Sequence, residues 1–260
     1  MTATPSKDET ALPGGLKSVL MTLDLLDCFM TSDELGVSDI ARRLGVAKSS
    51  AHRMLTTLVS RGMAEKNPET GRYRLGLHVY ELGALSASRS RLRKIALPIM
   101  EDLRHRTGHT IHLSVVDGAD VIHLERLQSR RGLQVLADMR RRFPLHSTSG
   151  GKAIAAFDPL VAEARRRLEF PSLTSLTVSN ADDFERMLAE VRQRGYAVNR
   201  DEALVGFTSV AAPILDPSGR ARAAISIAGP TADLDSSFDH HTRLVVAAAK
   251  RIARELPWTL

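Results

Sequence analysis

One cysteine, Cys28, occurs in 260 residues. An intramolecular disulfide framework is therefore excluded, and a reducing cytoplasm is the expected compartment. No apolar run is long enough to span a bilayer, so no membrane partner is expected. The first fifteen residues, MTATPSKDETALPGG, are polar and punctuated by Gly and Pro, unlike a secretory signal. They read as a disordered tail, 1–15. Acidic residues are missing altogether between Asp39 and Glu65, where the only charges are Arg42, Arg43, Lys48, Arg53 and Arg61. That local surplus says more about a polyanionic partner than the overall net charge of +6. Several catalytic signatures are absent too: there is no G-x-S-x-G elbow, no K-T-G-type strand and no P-loop spacing.

The acid-free stretch is itself patterned. VSDIARRLGVAKSSAHRMLTTL, from Val37 to Leu58, reads as two short helices joined at Gly45, with Ser38 as the expected N-cap and Ile40, Ala41 and Leu44 as an apolar face. In the second helix Ala51, Met54, Leu55 and Leu58 fall on one side at i, i+3, i+4 and i+7. The opposite side then carries Ser49, Arg53 and Thr56, with Lys48 and His52 flanking, a basic and hydroxylated face suited to a major groove. Strand, turn and strand follow from Met63 to Leu75, across Asn67-Pro68-Glu69-Thr70-Gly71, with Arg72 and Arg74 on one face and Tyr73 and Leu75 on the other. A hairpin after such a helix is a wing, and its arginines are placed for backbone phosphates. Val19, Leu20, Leu23, Leu26 and Met30 repeat at helical spacing upstream and are expected to close the small core, with Cys28 a small core residue beside them.

From residues 16 to 76, the chain resembles the DNA-binding domain of the IclR family of bacterial transcription regulators. Two later stretches share the family pattern: FPLHSTSGGKAIAA from Phe143, and GYAVNRDEALVGFTSVAAP from Gly195, continued by AAISIAGP. The resemblance implies an α+β protein with an N-terminal winged helix-turn-helix domain, 16–76, a linker helix, 77–94, and a GAF-like effector-binding domain, 95–260. It also implies a homodimer or dimer of dimers on double-stranded DNA, with a pseudo-palindromic operator and no cofactor. Candidate DNA contacts are Ser38, Arg42, Lys48, Ser49, Ser50, His52, Arg53, Thr56, Arg72 and Arg74.

The second half of the chain supports a mixed reading on its own residues. Strand-like runs occur at Thr110–Val116, Val121–Leu127, Gln134–Ala137, Tyr196–Asn199, Ser209–Leu215 and Ala223–Ala228, with hairpin turns at Asp117-Gly118 and Asp216-Pro217-Ser218-Gly219. Helical runs occur at about Ile95–Arg106, Gly151–Phe157, Leu160–Leu168, Ala181–Arg194 and Phe238–Glu255. A helix starting after Ser147-Thr148-Ser149-Gly150 offers backbone N–H groups to a small anion. Asn199, Ser209 and Ser226 interrupt apolar strands and need partners if buried. The family resemblance places effector contacts at Phe143, Ser149, Gly150, Asn199, Ser209, Ser226 and Ala228, with Val135 and Met139 as apolar walls. Asn199 stands where the family often has an acid, and Ser209 where it often has cysteine. The expected effector is a small organic acid, with Asn199 donating to its carboxylate.

Two other chemistries were weighed. Ser149-Gly150-Gly151-Lys152 has the S-x-x-K spacing of a serine nucleophile and lysine base, the alternative being a serine hydrolase. No catalysis is expected, since the companion motifs are missing. Among the nine histidines no neighbouring pair has chelate spacing, and a metal site near His112, His123 or His146 would need the tertiary fold to assemble it.

Overall fold

The computed structural model describes residues 16–129 and 142–258. The chain divides into two compact units that separate between Arg89 and Ser90. The first contains α1 (Lys17–Asp27) with a 3-10 turn (Cys28–Thr31), α2 (Val37–Leu44), α3 (Lys48–Ser60), the hairpin β1 (Ala64–Lys66) and β2 (Tyr73–Leu75), and α4 (Leu77–Arg89). Its core joins Leu25, Phe29, Leu35, Ile40, Leu44, Leu55, Leu58 and Tyr73. Gly45 ends α2 in the left-handed region at φ 65°. The bridge between Leu35 and Tyr73, with N–H···O bonds of 2.9 Å both ways, ties the wing to the segment before α2.

Three local expectations are corrected here. Ser38 lies inside α2, not at its cap. Gly36 holds the N-cap position, and the carboxylate of Asp39 reaches back to accept from the Gly36 N–H at 3.2 Å. On α1 the buried side is Leu25, followed by Phe29, while Val19, Leu23 and Met30 are 50%, 54% and 68% exposed. The helix is apolar on more than one side, so spacing alone selected the wrong face. Leu75 does not share the burial of Tyr73: at the end of β2 it is 41% exposed. Cys28 sits in the 3-10 turn, partly buried against the same core.

The second unit contains α5 (Arg91–Thr107), β3 (Thr110–Asp117), β4 (Asp120–Leu127), β5 (Arg142–Pro144), a 3-10 turn (Leu145–Ser147), α6 (Ser149–Phe157), α7 (Pro159–Arg166), α8 (Ala181–Arg194), β6 (Ala197–Arg200), β7 (Phe207–Leu215), β8 (Ala221–Pro230), α9 (Thr231–Asp235) and α10 (Phe238–Glu255). α5 begins at Arg91, before the expected Ile95, because the Ser90 hydroxyl caps it by accepting from the Arg93 N–H at 3.2 Å. The six strands form one antiparallel sheet in the order β5-β4-β3-β8-β7-β6. The expected strand Gln134–Ala137, together with Val135 and Met139, lies outside the described residues.

Strand side chains alternate between faces, and the two faces here differ in kind. Ile111, Leu113, Val210, Ala212, Ile214, Ile225 and Ile227 pack with α5 and α10, whose Ile99, Met100, Leu103, Val245, Ala249 and Ile252 fill one core. The other face carries Ala197, Ala211 and Ala224, packed with α6 and with Phe184, Leu188 and Val191 of α8. It also carries the polar residues His112, Ser114 and Ser226. Small residues let α6 approach closely: a Cβ on Gly151 would overlap the backbone of Leu145. Gly151→Ala is therefore expected to destabilise the second unit by about 1–3 kcal/mol. Denaturant unfolding measures it, and an unshifted midpoint would contradict this packing.

Candidate functional site

In the first unit α3 presents Lys48, Ser49, Ser50, His52, Arg53 and Thr56 outward while Ala51, Leu55 and Leu58 are buried. The Thr56 hydroxyl donates to the His52 carbonyl at 2.9 Å, so it lies along the helix. Ala47 at the N-cap offers no side-chain acceptor, which leaves first-turn N–H groups beside Lys48 for an anionic partner. Among the described residues Lys48 and Arg53 take part in no ion pair. The remaining cations are less free than the sequence suggested. Arg42 and Arg72 both bond the Asp39 carboxylate at 2.9 Å, and Arg74 pairs with Glu65 across the wing. The Gly36 N–H and these guanidinium groups hold the Asp39 carboxyl below the usual range. Ser38 is exposed in the first turn of α2.

In the second unit, all seven effector candidates within the described residues line one pocket: Phe143, Ser149, Gly150, Asn199, Ser209, Ser226 and Ala228. The cavity they line measures about 50 Å³. β5 brings Phe143, the start of α6 brings Ser149 and Gly150, and paired positions on β6, β7 and β8 bring Asn199, Ser209 and Ala228. The Ser149 and Ser209 hydroxyls are 2.7 Å apart. Thr148 caps α6 by accepting from the Gly151 N–H at 3.0 Å.

The sequence pointed to Ser226 but missed Arg126, which completes a polar row on the same wall. Arg126, His112 and Ser226 stand opposite one another on β4, β3 and β8, and all three line the pocket. His112 stacks on His123 with ring centroids 4.2 Å apart, and His123 bonds the Ser114 hydroxyl at 3.0 Å. Burial, reinforced by His123 and Arg126, pushes the His112 imidazole well below its ordinary pKa and keeps it neutral. Ala203, Leu204 and Phe207 add apolar surface to the same pocket. The signal was the alternation itself, since His112 and Ser114 occupy the face opposite Ile111 and Leu113.

Asn199 lines the pocket and is also engaged in its rim. Its side-chain amide donates to the Ser147 carbonyl, and its Oδ1 accepts from the Glu202 N–H at 3.2 Å, so it braces the pocket rim. The S-x-x-K pair is also separated in its bonding. Ser149 bonds Ser209, whereas buried Lys152 donates to the Val198 carbonyl at 3.2 Å and pairs with Glu202. Burial lowers the Lys152 pKa and Glu202 offsets part of that. The three histidines do not converge: His146 bonds the Pro171 carbonyl at 3.1 Å and packs on Phe170. Among the described residues no group of three or more His, Cys, Asp or Glu side chains is arranged to hold a metal ion.

Comparison with known proteins places both units. Residues 18–68 match the family described as IclR helix-turn-helix domain, and residues 84–254 match the one described as bacterial transcriptional regulator IclR C-terminal. The chain is 31% identical over 243 residues to the HTH-type transcriptional regulator BhcR of Paracoccus denitrificans, covering 92% of this chain and 87% of that protein. It is 35% identical over 228 residues to the glycerol operon regulatory protein of Streptomyces coelicolor, covering 85% and 89%. Among solved structures, an IclR homolog from Microbacterium hydrocarbonoxydans, complexed with 4-hydroxybenzoate, superposes with a TM-score of 0.80 at 28% identity, covering 93% of this chain and 100% of that one.

The buried imidazoles give the second unit a pH signature. Burial, with Arg165 nearby, depresses the His146 pKa from 6.5 to about 4. The unfolded chain therefore binds the proton first as pH falls, so stability present above pH 6.5 is expected to decline between about 6.5 and about 4, by at most ~1.4 kcal/mol per pH unit for this group. His112 acts in the same direction. Urea unfolding across that range checks it; a flat profile would mean that both rings are protonated in the native state.

Proposed function

The chain belongs to the IclR family of transcription regulators, with a helix-turn-helix DNA-binding domain and a C-terminal effector-binding domain, and from that premise we propose that a small organic acid controls its grip on a pseudo-palindromic operator. The observation that carries the ligand class is the polar row Arg126–His112–Ser226 in one pocket with the apolar Leu204 and Phe207. One guanidinium, neutral hydroxyls and a neutral imidazole suit a carboxylate with a compact apolar body, whereas a phosphate group usually meets several cations. The 4-hydroxybenzoate bound by the Microbacterium homolog is a ligand of that class. Arg126 replaces Asn199 as the carboxylate anchor, with the start of α6 alongside.

At the other unit Lys48 and Arg53 head the groove-reading face of α3, with the wing on adjacent phosphates. The protein acts without catalysis, in the cytoplasm, as a dimer or dimer of dimers. Apolar side chains left exposed on α1 and α4, among them Val19, Leu23, Leu77 and Tyr80, are the surface for the second copy. The acid changes operator affinity to the extent that it binds the two arrangements of the paired DNA-binding domains unequally.

Two outcomes are expected. Arg53→Ala should weaken operator binding without shifting the thermal midpoint, and log affinity of the native chain should fall linearly with log salt. Fluorescence anisotropy reads both, and normal affinity in the variant would remove Arg53 from the recognition surface. Arg126→Gln should weaken binding of 4-hydroxybenzoate or benzoate by about tenfold or more, leaving ligand-free operator binding intact. Calorimetry decides it, and unchanged acid affinity would place the carboxylate elsewhere.

A further inference from the structure

We propose that the second unit holds a separate site for a sulfate- or phosphate-like oxyanion at the start of α10. An open crevice there is lined by Arg104, Arg106, His109, Ser236, Ser237 and His241, none of which borders the pocket beside Arg126. α10 spans 18 residues, and Ser237 at its N-cap makes no side-chain bond to the first turn. Its first N–H groups therefore have no acceptor within the helix, at the positive end of the helix dipole.

A second, independent observation points to a ligand. His241 is 5% exposed, lines the crevice, and its Nδ1 has no hydrogen-bond partner among the described residues. A buried ring nitrogen without a partner is costly, and an anion supplies one once the ring carries a second proton. Arg104 repeats the pattern: it donates to the Gln128 carbonyl at 3.4 Å, while its buried Nε has no partner among the described residues. Helix N–H groups, an imidazole and a guanidinium together match an acceptor with three or more oxygens better than a carboxylate.

The groups around His241 set the pH dependence. His109 meets it edge-on at 4.9 Å, Asp239 and His240 share its helix, Arg104, His105 and Arg106 come from α5, and Asp233 from α9. Burial first, then His109 and His240, lower the His241 pKa, against the Leu234 backbone, which raises it. A bound anion raises it again, so binding takes up a proton and tightens as pH falls from neutral into the mildly acidic range.

The test is calorimetric titration of the full chain with sodium sulfate, whose charge is constant over that range, in buffers matched with chloride. Saturable binding is expected, tighter at the lower pH, weakened about tenfold or more in His241→Phe and in Arg104→Gln, and retained in Arg126→Gln. Arg104→Gln, half-buried at the rim, keeps the test open where the core does not accept Phe. Parallel arms with inorganic phosphate and phenyl phosphate separate a free-ion site from one that takes the head of a phosphorylated metabolite, and binding in either arm supports the proposal. No saturable sulfate binding, equal affinity in both crevice variants, or loss in Arg126→Gln would overturn it. The Arg126→Gln arm also keeps this result apart from that of the acid pocket.

Discussion

The two-residue alternation of the central strands is the constraint from which the effector unit follows. On β3, β7 and β8 the large aliphatics Ile111, Leu113, Val210, Ile214, Ile225 and Ile227 all point toward α5 and α10. The same register turns Ala211 and Ala224 and the polar His112 and Ser226 toward α6. A one-residue slip would exchange the faces, burying polar groups in the aliphatic core and closing the pocket with isoleucines. The hydrophobic core therefore fixes the pocket register, and the pocket can vary in chemistry without altering that core.

The pocket rim depends on a second constraint, the satisfaction of buried polar groups. Lys152 is almost fully buried, and the Val198 carbonyl and Glu202 hold it. The hydroxyls of Thr174 and Thr177 donate to the carbonyls of Asp201 and Glu202 at 2.8 and 2.6 Å. Asp201 takes a left-handed φ of 60°, and its carboxylate accepts from the Gly206 N–H at 2.7 Å. Leaving the buried Lys152 unpaired in the interior would cost more than its bonds contribute. The residues that lead into β7, among them Ala203 and Leu204, are thus fixed beside the pocket by groups outside its lining.

Much of this was legible in the residues. α8 and α10 fall within their expected bounds because their apolar period is clear; for α8 the ends are marked by Asn180 and Gly195, the latter at φ 77°. β3, β7 and β8 were found within a few residues, since alternation and turn residues define them. Errors came where one pattern allows two outcomes. α1 has more apolar residues than one face can hold, and only the positions of α2 and α3 decide which are buried. Arg72 and Arg74 read as bare cations because Asp39 and Glu65 become their partners through the fold, whereas the Arg42–Asp39 pair, three residues apart on α2, was open to reading from the spacing. His112, His123 and Arg126 belong to no motif, and Asn199 shows its role only through Ser147 and Glu202, one of them 52 residues away in sequence.

Family membership, the exposed face of α3 and the pocket of Arg126 together make one central claim: two sites that share no residues are energetically coupled. Such coupling is reciprocal. The direct measurement is the affinity of one acid, such as 4-hydroxybenzoate, for the free protein and for the protein saturated with operator DNA. The account predicts that the ratio of those affinities equals the ratio of operator affinities with and without the acid. Identical acid affinity in the two states, with the acid bound in both, would contradict it.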